Sequence, residues 1–376
     1  MRTHLGEHRA LSFDGHVHTA RSHDADHPAA GVLELARRVD LDAIVLTDHG
    51  SSLAAQDLDR AGYAGPVTAL VGEEVGGSFG HAVIWNVPDR RGVFEAASES
   101  IEALGAVVRS QGGLVVLAHP GWWIDGNFYD PMRWMEYDAL RRGGIGQAID
   151  AIEIWNQVYY QPSRRLLDAW VALLDRGLFV PIVGNTDFHR HPEHELGLPR
   201  NVFFCPAAES DVAACLLSSV QAGRLYITDG PAVTLTVAQH TLGESVPTVP
   251  GAPLVVSLAA LAPEGGTLEL YVGHDIVQRF PLPLGERWER TLTVEAPASD
   301  SFVRAEIARA TPVPHRTPFS LLTNPVLLDA PPWATSRRGP DEGPVRGPLG
   351  FSRRDIERSR EREARRQAAQ QLRRAR

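Results

Sequence analysis

The sequence of 376 residues contains no lysine, so all 37 of its basic residues are arginines. This absence excludes Schiff-base catalysis and the phosphate-binding P-loop, because both depend on a lysine side chain. Cysteine is also scarce. The two that are present, Cys205 and Cys215, are too few for a disulfide framework and fit a reducing compartment. We interpret them as ordinary core residues rather than as catalytic thiols.

Long apolar runs are missing as well. No stretch reaches the roughly 18 apolar residues that a transmembrane helix needs. Residues Met1 to Ala10 are polar and charged, and they lack the apolar segment of a secretory signal peptide. The sequence therefore predicts a cytoplasmic protein that makes no contact with a membrane.

Charge is distributed unevenly along the chain. The segment from Arg337 to Arg376 contains 13 arginines and 6 acidic residues, so its formal charge is +7. The whole chain carries −9, which leaves −9 − 7 = −16 for the remainder. Such a basic tail can bind nucleic acid or another acidic surface. A solvated tail is the simpler interpretation, and we expect no nucleic-acid partner.

Between residues 10 and 235, short apolar runs repeatedly end at residues that can bind metals. Runs such as Ala43–Leu46 and Leu114–Ala118 alternate with segments of helical spacing such as Val32–Val39. Strands that alternate with helices pair in parallel. Polar residues at the carboxyl ends of such strands are typical of a barrel with its site at that face. We therefore predict an α/β fold, with an irregular (β/α) barrel over residues 1–228.

The pattern changes after the predicted closing helix, Ser210–Ala222. Short strand-like runs then recur about every ten residues and are separated by Gly, Pro and Asp. They predict a small β-sandwich-like domain over residues 229–330. Residues 331–376 form a Pro/Gly linker and an Arg/Glu-rich tail, for which the composition predicts disorder or a lone helix.

Residues with metal-binding side chains lie at these strand ends and in the loops beside them. His16 and His18 are separated by one residue, so both imidazoles point to the same side of a strand. The candidate metal ligands are His16, His18, Asp24, His49, Glu74, His81, His119, Asp187 and His189, with His23 as an alternative to Asp24. One ion cannot use nine ligands. The sequence therefore predicts two or three divalent ions joined by a bridging carboxylate.

The motifs around these residues resemble, in order, those of the PHP (polymerase and histidinol phosphatase) superfamily. They are Asp14-Gly-His16-Val-His18-Thr, Thr-Asp-His49, Gly-Glu-Glu74-Val, Gly-His81, Ala-His119-Pro and Thr-Asp187-Phe-His189. The later segments Gly223–Pro231, Phe302–Glu306 and Thr323–Pro325 are similar to its CehA/McbA-like branch of metallohydrolases. The resemblance covers residues 10–328.

This resemblance implies an irregular (β/α)7 barrel that holds two or three Zn, Mn or Fe ions. It implies one ion on His16, His18, Glu74 and Asp187, a second on Glu74, His81 and His119, and a third on His49, His189 and a residue of the first loop. The family usually has Ser-Asp-Gly in that loop, whereas this chain has Ser22-His23-Asp24-Ala25. Spacing from Ser22 favours His23 as the ligand, and residue type favours Asp24, which we prefer.

The expected activity is metal-dependent hydrolysis of a small ester. Clustered cations lower the pKa of a bound water and supply hydroxide to phosphorus or a carbonyl carbon, so no protein nucleophile is required. The superfamily implies a phosphoesterase, and the branch adds carbamate or carboxylic ester hydrolysis as an alternative. A further alternative is a non-catalytic metal-binding or regulatory module. Arg190 and Glu153 are candidate substrate-binding residues, although Glu153 also suits a structural hydrogen-bonding role.

One competing motif indicates a serine hydrolase. Gly76-Gly-Ser78-Phe-Gly80 matches G-x-S-x-G, the nucleophile elbow, which requires a strand before it and a helix after it. Residues 81–87 are strand-like, so we interpret Ser78 as a loop residue.

Overall fold

Strands outnumber helices in the part of the chain that the computed structural model describes. That part comprises residues 4–5, 8–63, 65–77, 79–120, 123–124, 127–128, 148–157, 164–175, 177–191, 194–311, 313 and 317–329. The predictions made for Ser78 and for the tail from residue 331 fall outside it.

The helices in this part are α1 Ala29–Arg38, α2 Ala54–Ala61, α3 Val93–Glu99, α4 Ile101–Arg109, α5 Arg164–Leu174 and α6 Val212–Ala222. The strands are β1 His4–Leu5, β2 His8–Val17, β3 Ala43–Leu46, β4 Thr68–Gly77, β5 Gly80–Trp85, β6 Leu114–Leu117, β7 Trp123–Ile124, β8 Asn127–Phe128, β9 Ala151–Asn156, β10 Ile182–Asn185, β11 Arg200–Pro206, β12 Leu225–Thr228, β13 Ala232–Val237, β14 Ser245–Pro247, β15 Pro253–Leu261, β16 Gly266–Val272, β17 Asp275–Leu282, β18 Arg287–Glu295, β19 Ser301–Ala308, β20 Phe319–Thr323 and β21 Val326–Asp329. No helix of the described residues is long and apolar enough to cross a membrane.

The predicted (β/α)7 barrel is wrong, because most strands join one mixed sheet. This sheet has 16 strands, with a central order β10-β9-β6-β5-β4-β3-β2-β11-β12-β20-β19-β16-β17. β5 pairs antiparallel with both β4 and β6, and β2 pairs antiparallel with β11. Only two residues separate β4 from β5, which is too short for the crossover helix that parallel pairing needs. The sheet then continues into the second half of the chain instead of ending with α6.

Parallel pairing is confined to two parts of this path. β2, β3 and β4 are parallel neighbours, as are β6, β9 and β10. β10 also lies against β2, since the amide of Gly15 donates to Asn185 Oδ1 at 2.8 Å and that of His18 donates to the carbonyl of Phe188 at 2.8 Å. The residues that follow β2, β3 and β10 therefore emerge side by side.

Local sequence explains where several helices begin and end. Residues 93–109 form two helices rather than one, because Ser100 is extended and its hydroxyl accepts from the amide of Ala103 as the N-cap of α4. α6 covers the helix that was predicted over Ser210–Ala222, apart from its first two residues. Asp211 caps its start, and Gly223, with a left-handed φ of 69°, ends it.

The second half of the chain forms two layers. A separate sheet, β13-β15-β18, packs its buried valines and leucines against β16 and β19 of the large sheet. Alternate residues of β13 are buried, as expected for a strand with one covered face. The strand-like runs predicted here all correspond to strands. The domain boundary at residue 228 stays a prediction.

Cys205 and Cys215 do not remain separate core residues. Because β11 packs against α6, their Cα atoms lie 6.0 Å apart, and the two sulfurs form a disulfide. Both residues are buried, as predicted.

Candidate metal centre

All nine predicted ligands converge at one edge of the sheet. Besides a group of His16, His119 and Glu153, three donor groups are formed among the described residues, and within each group the donor atoms lie within 4.8 Å of one another. We call them the inner group (His16, His18, Glu74 and Asp187), the side group (Glu74, His81 and His119) and the outer group (His18, Asp24, His49 and His189). Glu74 and His18 each belong to two groups, so the three groups form one continuous centre.

The inner group is almost completely buried. His16 Nε2 lies 3.3 Å from Glu74 Oε2 and 3.2 Å from Asp187 Oδ1. His18 Nε2 lies 3.3 Å and 3.1 Å from the same two oxygens. Both histidines come from the end of β2, Glu74 from β4, and Asp187 from the segment after β10. Two imidazoles therefore face two carboxylates across a small space.

The side group uses the other oxygen of Glu74. Glu74 Oε1 lies 2.6 Å from His81 Nδ1 and 3.2 Å from His119 Nε2. His81 stands at the start of β5 and His119 follows β6. The antiparallel β4-β5 pairing is what places His81 at the same edge as Glu74. A carboxylate that presents one oxygen to each of two donor groups is suited to bridge two ions.

The outer group contains Asp24, one of the two candidate residues of the first loop. Asp24 Oδ2 lies 3.2 Å from His49 Nε2 and 3.2 Å from His189 Nε2. The side chain of His23 is 79% exposed, and its Nε2 is 3.9 Å from Asp24. His23 is in none of the donor groups found among the described residues.

Three imidazoles are oriented through their second ring nitrogen. Nδ1 of His16 lies 3.2 Å from Glu153 Oε1, that of His18 lies 2.9 Å from Ser22 Oγ, and that of His189 lies 2.7 Å from the carbonyl of Asp187. Each partner can accept a hydrogen bond from Nδ1–H. Nε2 is then left without a proton and can bind a metal.

Glu153 lies behind the inner group and is fully buried. Besides His16, it accepts hydrogen bonds from the His119 amide at 2.7 Å, from Asn156 at 3.0 Å and from Asn185 at 2.8 Å. These contacts suit the structural hydrogen-bonding role, and the substrate-binding role stays a prediction. Asn185 was missed by the sequence analysis, although a polar residue that ends an apolar strand run could have indicated it.

Arg190 lies on the exposed side of the centre. Its Nε donates to the backbone carbonyl of Asp24 at 3.2 Å. Glu73, the neighbour of the bridging glutamate, points away from the centre and pairs with Arg90, with both oxygens 2.5 Å from that guanidinium. This explains why only the second glutamate of the pair contributes a ligand atom.

The spacing of the donor atoms fits a bound ion. Ligands at roughly 2.0–2.1 Å in tetrahedral geometry stand about 3.3 Å apart, close to the separations of 3.1–3.3 Å in the inner group. Among the described residues, buried His16 Nε2, His81 Nδ1 and Asp24 Oδ1 have no hydrogen-bond partner, although carboxylate oxygens lie near both imidazole atoms. Buried polar atoms rarely lack a hydrogen-bond partner unless another group binds them.

The charges in the metal-free centre are strongly coupled. Burial acts to lower the pKa of His18, but hydrogen bonds with Asp187 and Glu74 raise it to about 9. Burial acts to raise the pKa of Asp187, but His16 and His18 hold it well below its usual range. In the outer group burial dominates and lowers the pKa of His49 to about 4. The carboxylates are therefore ionised at neutral pH and attract cations.

Two of the ligands have unusual backbone conformations. His119 and Asp187 have φ values of 26° and 49°, in the left-handed region that non-glycine residues seldom adopt. Such conformations cluster at functional sites because the surrounding structure must hold them.

The strands around the G-x-S-x-G motif do not have the arrangement that a serine hydrolase needs. β4 ends at Gly77 and its antiparallel neighbour β5 begins at Gly80, so a strand and not a helix follows the motif. A nucleophile elbow requires that helix.

No protein-family model matches the chain, and no curated protein matches it. Similar solved structures include a candidate metal-dependent phosphoesterase from Bifidobacterium adolescentis, with 16% identity and a TM-score of 0.37 over 49% of this chain and 90% of that one. Another is the structure of an amidohydrolase from Chromobacterium violaceum, which has bound sulfate and no metal. It is 18% identical, with a TM-score of 0.35 over 57% of this chain and 96% of that one. These similarities are too weak to carry an argument about fold or function.

Proposed function

We propose that this protein is a metal-dependent hydrolase with a multinuclear centre, and that its substrates are small phosphoesters. The observation that carries the proposal is the convergence of six imidazoles and three carboxylates on three donor groups that share Glu74 and His18. His16, His18, Glu74 and Asp187 would hold one divalent ion, and Glu74, His81 and His119 a second. Asp24, His49 and His189 would hold a third beside His18. Zn, Mn and Fe all suit such mixed nitrogen and oxygen ligands.

The charge of the centre supports an anionic substrate. Three divalent ions bring six positive charges to four carboxylates, namely Glu74, Asp187, Asp24 and Glu153. A net positive site beside the exposed guanidinium of Arg190 attracts a phosphate group, which Arg can bind through two parallel hydrogen bonds. We include Arg190 in the proposal as a substrate-binding residue.

The residues of the chain prepare the site in two ways. Glu153, Ser22 and the carbonyl of Asp187 fix the Nδ1 sides of three ligands, so that Nε2 atoms face the centre. Burial of the inner group keeps bulk water away and strengthens every electrostatic interaction there. When bound, the ions would lower the pKa of a water molecule and stabilise charge that develops on the substrate oxygens. Membership of the PHP superfamily, which the resemblance of the sequence motifs implies, is part of this proposal.

A substrate panel tests the proposal. The protein is stripped with a chelator, reloaded with Zn, Mn or Fe, and assayed with nitrophenyl phosphate, a bis-nitrophenyl phosphodiester, nitrophenyl acetate and a nitrophenyl carbamate. We expect turnover of a phosphoester that disappears with the chelator and returns with metal. Turnover of the carbamate or acetate alone would replace the phosphoesterase by the ester hydrolase alternative. Stoichiometric metal binding without turnover of any compound would favour the non-catalytic alternative.

A further inference from the structure

The inner and outer donor groups differ in how deeply they are buried. The side chains of His16 and His18 have no exposed surface, and that of Glu74 is 2% exposed. By contrast, the side chains of His49, His189 and Asp24 are 25%, 16% and 35% exposed. An ion in the outer group would therefore face solvent, whereas an ion in the inner group would be enclosed.

The outer ligands also differ in how they are held. Arg90, which is paired with buried Glu73, donates to the carbonyl of Gly50 at 2.7 Å and so fixes the segment that carries His49. His189 is fixed by its own Nδ1 contact with the carbonyl of Asp187. Both contacts connect an outer ligand to buried parts of the molecule.

Asp24 has weaker support, because it lies on the loop between β2 and α1. Oδ1 of its carboxylate has no hydrogen-bond partner among the described residues, and Oδ2 faces His49 and His189. Its backbone is held by Nε of Arg190, at 3.2 Å from the Asp24 carbonyl. Arg190 is the residue after His189, so a single exposed side chain connects two outer ligands.

We propose that the outer group binds its ion separately from the rest of the centre and more weakly, and that Arg190 is the positioning residue that sets this affinity. This inference rests on the proposed metal centre but not on the reaction it performs. When the ion is absent, Oδ2 of Asp24 still lies near His49 and His189, and its backbone is held by the Arg190 contact. Losing that contact therefore adds the cost of ordering the loop to each binding event.

The test measures metal binding to the full-length protein. Metal-free wild type, Arg190→Ala, Arg190→Lys and Asp24→Asn are titrated with zinc by calorimetry, and bound metal is counted by elemental analysis after gel filtration. Arg91→Ala is the matched control, since Arg91 is an exposed arginine that pairs with Asp89 away from these ligands. Thermal unfolding of each metal-free variant checks that it is folded.

We expect wild type to show tight sites and one weaker site. Asp24→Asn should lose the weaker site alone. Arg190→Ala should weaken that site by about 10–100-fold, as is usual when a partner that orients a ligand is removed. Arg190→Lys should recover part of the loss, because an ammonium can still donate to the Asp24 carbonyl, and Arg91→Ala should match wild type.

Three results would overturn the inference. They are an Arg190→Ala titration that superimposes on wild type, an equal loss at every site in a folded Arg190→Ala protein, and Asp24→Asn binding as many ions as wild type. If wild type itself binds no zinc, manganese or iron, the proposed metal centre fails instead.

Discussion

Glu153 connects the inner group to the strands behind it. It contacts the Nδ1 side of His16 and the backbone amide of His119, so one carboxylate orients ligands of two donor groups. Asn156 and Asn185 donate further hydrogen bonds to it. Its effect on the centre is therefore exerted through the imidazoles.

Replacing Glu153 by Gln should weaken metal binding while preserving the shape of the site. The amide NH₂ group would donate to Nδ1 of His16, and the proton would then sit on Nε2, where the metal must bind. We expect a loss of roughly 10–100-fold in metal affinity, measured by calorimetry. Wild-type affinity in this variant would show that Glu153 does not control the tautomer of His16.

Replacing Asp187 by Asn should be more severe, because it removes the negative charge of a carboxylate whose Oδ1 lies within 3.2 Å of two imidazoles. Asn tolerates the left-handed backbone found there, so the protein should still fold. Hydrolysis should fall by more than about a hundredfold, beyond the effect of losing a partner that only orients a ligand. Asp89→Asn, an exposed carboxylate paired with Arg91, should keep full activity. Comparable rates for the two variants would place the chemistry elsewhere.

At the scale of elements, the close approach of β2, β5 and β10 determines the position of the inner group. Gly15 lies between the contacts of these strands, since its carbonyl accepts from Trp85 Nε1 at 2.9 Å and its amide donates to Asn185. A Cβ atom added at Gly15 would overlap the Trp85 ring. The side chains of His16 and His18 are thus placed by packing around a residue that has no side chain.

Gly15→Ala should therefore destabilise the protein, by about 1–3 kcal/mol as in other overpacked cores, and should also weaken metal binding. Gly31→Ala is the control, because Gly31 lies within α1 and an added Cβ would come no closer than 3.5 Å to Pro28. That change should stabilise the helix by roughly 0.5–1 kcal/mol. Chemical denaturation measures both. Equal stability of the two variants would contradict the packing argument.

At the scale of the whole molecule, metal uptake should depend on pH. Although burial alone would lower the pKa of His18, hydrogen bonds with Asp187 and Glu74 raise it to about 9, and the pKa of His16 is also raised despite its burial. Both imidazoles are then protonated at neutral pH in the metal-free protein and must lose their protons to bind an ion. Apparent affinity should increase with pH up to about 9, by about tenfold per pH unit for each proton released. Calorimetry in buffers of different ionisation enthalpy counts those protons, and an affinity unchanged between pH 6 and pH 9 would exclude this coupling.

The amino-acid sequence by itself determined which residues could form the centre. His-x-His at the end of an apolar run, and carboxylates or histidines after later runs, indicate metal ligands because strand geometry and ligand chemistry are local properties. The structure brings together all nine residues selected in this way. The short strands after residue 229 were also predictable from their turn residues and spacing.

Only the tertiary structure decided the arrangement of strands, and with it the choice between neighbouring residues. The short β4–β5 connection imposes antiparallel pairing there, but the antiparallel pairing of β5 with β6 and of β2 with β11 depends on contacts between distant parts of the chain, and so the predicted barrel was wrong. Likewise, Asp24 and His23 differ in distance to His49 and His189, which come from two other parts of the chain. The disulfide between Cys205 and Cys215 depends in the same way on how β11 packs against α6. Side-chain chemistry is carried by single residues, whereas pairing and proximity are properties of the folded chain.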